Sequence, residues 1–66
     1  MKVYVNGKEF DLVPGARIIE VLNNLNINPD RVVVERNGSI IDRKNYHNEQ
    51  LKEGDNVEII MFVGGG

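Results

Sequence analysis

The segment VEIIMFVGGG, residues 57–66, joins an apolar run to three consecutive glycines. Two sets of residues alternate along it with the period of two that is typical of a β-strand: Val57, Ile59 and Met61 on one face, Glu58, Ile60 and Phe62 on the other. We predict a strand over 57–63. Because both faces are apolar toward its end, the strand is either covered on both faces or carries an exposed apolar patch.

The three glycines that follow predict a slender chain end. Without Cβ atoms, Gly64, Gly65 and Gly66 can lie extended in a cleft too narrow for side chains,. The α-carboxylate of Gly66 is a poor electrophile at neutral pH, so any reaction there needs an activating partner, as when ATP forms an acyl-adenylate. We expect Gly66 to be the reactive residue. A frayed terminus is the alternative that the residues alone leave open.

The apolar outer face of the last strand predicts a docking surface next to the glycines. One short helix can cover only one face of a sheet, so Ile60 and Phe62, together with Tyr4, are candidates for binding a partner,. The alternative is that the polar segment 42–51 folds back over them.

Upstream, the first twelve residues predict a β-hairpin. Residues 1–5 and 8–12 alternate in hydropathy as half-buried strands do. Asn6-Gly7 between them suits a two-residue turn, because both positions tolerate positive φ,.

After Pro14-Gly15 the apolar period changes to that of a helix over 18–25. The stripe consists of Ile18, Val21, Leu22 and Leu25. Arg17 is a poor N-cap, so packing on a sheet has to stabilise so short a helix.

The following segment predicts a second hairpin. Strands over 32–36 and 39–41 flank Asn37-Gly38,. The polar segment 42–52 is aperiodic, with Tyr46 and Leu51 as expected core anchors. His47, the single histidine in a chain without cysteine, is expected to be exposed, and no metal site is expected,.

Composition restricts the function further. A chain of 66 residues with 41% hydrophobic and 27% charged residues predicts one small globular domain,. The net charge of −2, without a basic stripe, argues against nucleic-acid binding,. Neither a membrane-spanning run nor a signal peptide is evident, so we expect a cytoplasmic protein with no membrane partner.

The order of elements predicts an α+β fold, and it resembles the ubiquitin-like β-grasp fold, a mixed four- to five-stranded sheet with one short helix packed across one face. The details resemble the ThiS family of sulfur carriers in thiamin biosynthesis over the whole chain. The matching segments are Asn6-Gly7, Pro14-Gly15 with the helix stripe, 34–38, 54–59 and 62–66. Arg17 and Tyr46 depart from the Thr or Ser and the Trp that are frequent in that family. A β-grasp domain over 1–63 and a flexible glycine tail over 64–66 follow from the resemblance.

The resemblance implies a carrier rather than an enzyme, monomeric when free and without a bound cofactor. A ubiquitin-activating-enzyme-like adenylyltransferase would use ATP and Mg²⁺ to adenylate Gly66. A persulfide sulfur donor would then supply the sulfur of a C-terminal thiocarboxylate. A thiazole synthase would accept that sulfur to build the thiazole moiety of thiamin.

Three alternatives stay open at this point. The small subunit of molybdopterin synthase shares the fold and the activation chemistry. A β-grasp regulatory or RNA-binding module resembles residues 1–60 comparably well. A protein modifier that forms isopeptide bonds would carry the same tail.

Overall fold

The computed structural model describes residues 1–62, which form one mixed five-stranded sheet with one α-helix across it. The strands are β1 (Lys2–Val5), β2 (Lys8–Asp11), β3 (Val32–Arg36), β4 (Ser39–Ile41) and β5 (Asn56–Met61). The helix α1 spans Ile18–Asn24, and two 3-10 turns span Pro29–Arg31 and Arg43–Asn45. The predicted glycine tail and the last residue of the predicted final strand lie outside the described residues.

The strand order β2-β1-β5-β3-β4 places the last strand at the centre. β5 pairs parallel with β1 and antiparallel with β3, and the two outer pairs are hairpins. This confirms the predicted α+β fold with a mixed sheet. The strands β1 and β5 are neighbours, so the sheet is complete only when residues from both ends of the described chain have paired.

The core lies between one face of the sheet and α1. Eleven buried apolar residues form it: Val3, Val5, Ile18, Val21, Leu22, Val32, Val34, Tyr46, Leu51, Val57 and Ile59. The predicted anchors Tyr46 and Leu51 are confirmed. Leu25, predicted on the helix stripe, lies just past the end of α1 and packs against this core from its edge.

Both predicted Asn-Gly turns are confirmed. Asn6 and Gly7 have φ of 48° and 83°, and Asn37 and Gly38 have φ of 51° and 86°. Positive φ at both central positions is the type I′ geometry that matches the twist of a hairpin.

The segment after β4 supplies the start of α1 with the cap that Arg17 lacks. The N–H of Ile18 donates to the carbonyl oxygen of Glu49 (3.1 Å), and that of Ile19 donates to Tyr46 (2.9 Å). Within the helix, the Glu20 carboxylate accepts from the Arg17 N–H. The free N–H groups of a helix start therefore find acceptors in a distant segment instead of an N-cap side chain.

The helix α1 ends in a cap that contains a residue in the left-handed conformation. Asn26 has φ of 57°, and the Ile27 N–H donates to the carbonyl oxygen of Leu22 (2.9 Å). This bond and the left-handed residue define a Schellman cap.

A buried carboxylate joins three segments beside β5. Asp55, 7% exposed, accepts hydrogen bonds from the Asn37 side-chain amide (3.0 Å) and from the Lys52 N–H (2.8 Å). The Arg36 guanidinium lies 3.2 Å from Asp55 and 2.8 Å from Glu49. The cluster fixes the turn that leads into β5 to the end of β3.

Replacing Asp55 with alanine should lower the free energy of unfolding by about 3 kcal/mol, because it strips Arg36, Asn37 and Lys52 of a shared buried acceptor,. Urea denaturation followed by circular dichroism measures the change. Asp55→Asn, which keeps one acceptor oxygen, should lose less. A loss below about 1 kcal/mol for the alanine variant would contradict the structural role given to this cluster.

Candidate functional site

The described residue nearest to the glycines is Phe62, at the end of the central strand. Its N–H donates to the carbonyl oxygen of Arg31 (2.9 Å), which continues the β3–β5 ladder one residue past Met61. Phe62, the last described residue, is therefore tied to the sheet through β3. Any partner that binds Gly66 has to approach this end of β5.

On its other edge β5 is held by the side chain of Asn6. The Ile59 N–H donates to Asn6 Oδ1 (2.7 Å), and Asn6 Nδ2 donates to the Ile59 carbonyl oxygen (3.3 Å). Since the β1–β5 ladder stops at Val5 opposite Val57, this amide acts as one further residue of β1.

Asn37 holds the other end of β5 in a comparable way. The Asn56 N–H donates to Asn37 Oδ1 (2.9 Å), and the Asn37 N–H donates to the Asn56 carbonyl oxygen (2.8 Å). The two Asn-Gly turns therefore set the position of β5 from opposite sides and opposite ends. Sequence reasoning identified both turns but not these side-chain roles.

Replacing Asn6 or Asn37 with glycine should keep both turns and remove only the side-chain amides, because glycine accepts positive φ. Each variant should lose about 1 kcal/mol of stability. Asn6→Gly should speed hydrogen exchange of the Ile59 amide about fivefold beyond the global effect, whereas Asn37→Gly should do so at Asn56,.

NMR hydrogen exchange on both variants supplies the comparison, and each serves as the control for the other. Equal exchange at Ile59 in the two variants would contradict a separate role for Asn6 at the tail end.

The sheet face opposite α1 carries an exposed apolar patch at the Phe62 end of β5. Ile60 is 49% exposed and Phe62 is 52% exposed. Val33 lies directly opposite Ile60 on β3 and is half-buried. We call Ile60, Phe62 and Val33 the open-face patch.

The alternative prediction, that the polar segment 42–51 folds back over Ile60 and Phe62, is wrong. The segment 42–51 packs on the helix side of the sheet, where Tyr46 is 2% exposed and donates its hydroxyl to the Val32 carbonyl oxygen (3.3 Å). The two apolar anchors of this segment, Tyr46 and Leu51, are buried in the core on the helix side. The segment therefore does not cover Ile60 and Phe62.

Tyr4 lies on the open face but apart from the patch. Its register partner on β5 is Asn56, four residues before Ile60, a separation of about 13 Å along the strand,. Around Tyr4 the face is charged: Lys2 Nζ lies 3.4 Å from the Glu9 carboxylate, which raises the pKa of Lys2. The structure therefore brings Ile60 and Phe62 together and separates Tyr4 from them.

Three exposed apolar residues were not predicted as site residues: Val13, Ile40 and Met61. Met61, expected on the inner face with Ile59, is 57% exposed because β1 does not extend alongside it. Ile40 on the edge strand β4 is 70% exposed and pairs with Glu35 on the open face. The β-branched residues of 39–41 predict a strand, but they do not show that Ile40 faces solvent.

Neither a metal site nor a membrane-spanning element is found in residues 1–62. His47 is exposed, as predicted, and no group of three potential metal ligands occurs in this part of the chain. The helices within it are too short and too polar to cross a bilayer.

A five-stranded mixed sheet with first and last strands paired, one helix across one face and the chain leaving from the central strand defines a ubiquitin-like β-grasp protein. A crystal structure of a thiamine biosynthesis protein (ThiS) from Geobacter metallireducens superposes with a TM-score of 0.83, at 33% identity and full coverage of both chains.

Sequence comparison points the same way. The model of the ThiS family matches residues 3–66. The sulfur carrier protein ThiS of Bacillus subtilis is 51% identical over 35 residues, 53% of each chain. A thiazole synthase of Magnetococcus marinus is 35% identical over all 66 residues, although the chain spans only 20% of that protein's length. The chain belongs to the ThiS family.

Proposed function

We propose that this protein carries sulfur as a thiocarboxylate on Gly66 and delivers it for synthesis of the thiazole moiety of thiamin. The observation that carries the proposal is the family match over residues 3–66, which includes all three glycines. The exposed apolar patch at the end of β5 supports it, because a carrier needs a docking surface near its reactive end.

In the first step a ubiquitin-activating-enzyme-like adenylyltransferase binds the tail with ATP and Mg²⁺. The Gly66 carboxylate attacks the α-phosphorus of ATP, pyrophosphate leaves, and an acyl-adenylate forms. Gly64 and Gly65 let the chain enter a narrow cleft, because a Cβ atom on either residue would make the chain too wide for that cleft.

In the second step a persulfide donor attacks the activated carbonyl carbon with its terminal sulfur, and AMP leaves. A thiol then cleaves the resulting acyl disulfide and releases the thiocarboxylate. The carrier contributes no general acid or base to these steps. With no cysteine in its sequence, it has no side-chain thiol that could compete for the incoming sulfur.

The acceptor of the sulfur is proposed to be a thiazole synthase. The match of this whole chain to 20% of the Magnetococcus marinus thiazole synthase supports that partner, because a domain like this one is joined there to the synthase. The protein acts as a carrier and co-substrate of both enzymes, without a bound cofactor, in the cytoplasm.

The other candidates receive less support. A regulatory or RNA-binding module would be expected to present basic residues on its open face, where this chain places Ile60, Phe62, Glu35 and Glu58,.

One added alanine after Gly66 should abolish adenylation and leave the fold intact, because a Cβ then occupies the reactive end of the cleft. ATP–pyrophosphate exchange with the adenylyltransferase reports the first step, and the melting temperature reports the fold. Full exchange activity of the extended protein, with mass spectrometry showing that the alanine is retained, would contradict the proposal.

Ile60→Glu should raise the KM of the adenylyltransferase for this protein at least tenfold, because it places a charge in the docking surface. Val13→Glu is the matched control: Val13 is also exposed (69%) but follows β2 at the end of the sheet away from Phe62. Both changes should alter stability by less than about 0.5 kcal/mol. Equal effects of the two substitutions on KM would exclude the open-face patch as the docking surface.

A further inference from the structure

Backbone groups along β5 point alternately to its two neighbours. The N–H of Phe62 points to β3, where it donates to Arg31. The carbonyl oxygen of Val57 points to the β1 side, where it accepts from the Asn6 N–H (2.9 Å), and both backbone groups of Ile59 bind the Asn6 side chain there. By this alternation, the N–H and C=O of Met61 also point to the β1 side.

On that side β1 has already ended. Its ladder reaches only Val57, and the Asn6 amide occupies the next place, at Ile59. Over residues 1–62, nothing on this edge hydrogen-bonds to the backbone N–H or C=O of Met61. Among residues 1–62, Met61 therefore presents a backbone donor and a backbone acceptor without a hydrogen-bond partner, beside a side chain that is 57% exposed.

We propose that the free edge at Met61 pairs with an extended strand of the adenylyltransferase, which adds to the sheet beyond Asn6. The inference rests on the proposed function. Strand addition at an exposed sheet edge is an established mode of recognition, in which backbone hydrogen bonds supply affinity and neighbouring side chains supply specificity.

Chain length favours the enzyme as the occupant. Only four residues lie between Met61 and Gly66, so the two residues are at most about 18 Å apart when the chain is fully extended. An enzyme that holds the Gly66 carboxylate therefore has protein surface within that distance of the free edge.

A second copy of this chain fits the edge less well. Asn6 blocks the edge up to Ile59, so two copies could align only the residues from Met61 onward.

Chemical complementarity also specifies the added strand of the enzyme. That strand should carry apolar residues on the helix side, where they meet the exposed Met61 side chain.

The test uses proline at Met61, because the Met61 N–H lies outside the β3–β5 ladder and its removal leaves that ladder complete,. Met61→Pro should raise the KM for this protein in ATP–pyrophosphate exchange at least tenfold, with kcat unchanged. Met61→Ala removes the side chain but keeps the N–H, and should raise KM less than about threefold. Equal KM values for the two variants would overturn the proposal.

A measurement on the unmodified protein removes any dependence on how well the proline variant folds. Hydrogen exchange of the Met61 amide should slow at least tenfold when the adenylyltransferase binds. Unchanged exchange in the complex would overturn the proposal.

Two other results would also count against it. Self-association of the free protein that Met61→Pro abolishes would assign the edge to a second copy. Failure of the unmodified protein to support exchange at all would overturn the proposed function, and this inference with it, whereas equal KM values for the variants beside an active parent would overturn the inference alone.

Discussion

The backbone pairing of β5 between β1 and β3 is the constraint on which the rest of the structure depends. It brings the first and last strands together, and it ties the last described residue, Phe62, to Arg31 by a hydrogen bond of 2.9 Å. A chain of 66 residues buries a small core,. Each contact that fixes β5 therefore contributes strongly to the position of Phe62, the last described residue.

Polar side chains supply much of that definition. Asn6 and Asn37 each serve as a turn residue and as a hydrogen-bond partner of β5, and Asp55 joins the entry of β5 to Arg36. The two asparagines are exposed, and the buried Asp55 is compensated for lost hydration by its contacts with Arg36, Asn37 and Lys52,. The apolar residues therefore hold the sheet and helix together, and the asparagine amides fix the position of β5.

The sequence predicted the fold because each local signal agreed with the others: two Asn-Gly turns, one helical stripe and β-branched strands. It could not predict the cap of α1, because the acceptors for Ile18 and Ile19 come from residues near position 47, far along the chain. Periodicity placed Met61 inward, but its exposure depends on where β1 ends, which is a tertiary property. The exposure of Ile60 and Phe62 was one of two alternatives, and the path of 42–51 decided it.

The chemistry assigned to Gly66 is the central claim, and intact mass tests it most directly. The protein would be incubated with the adenylyltransferase, ATP, Mg²⁺, a persulfide donor and a thiol reductant, and then fragmented in the mass spectrometer. We predict a mass gain equal to the exchange of one oxygen for one sulfur, localised to Gly66. An unchanged mass in a reaction where adenylation demonstrably proceeds would contradict the sulfur-carrier account.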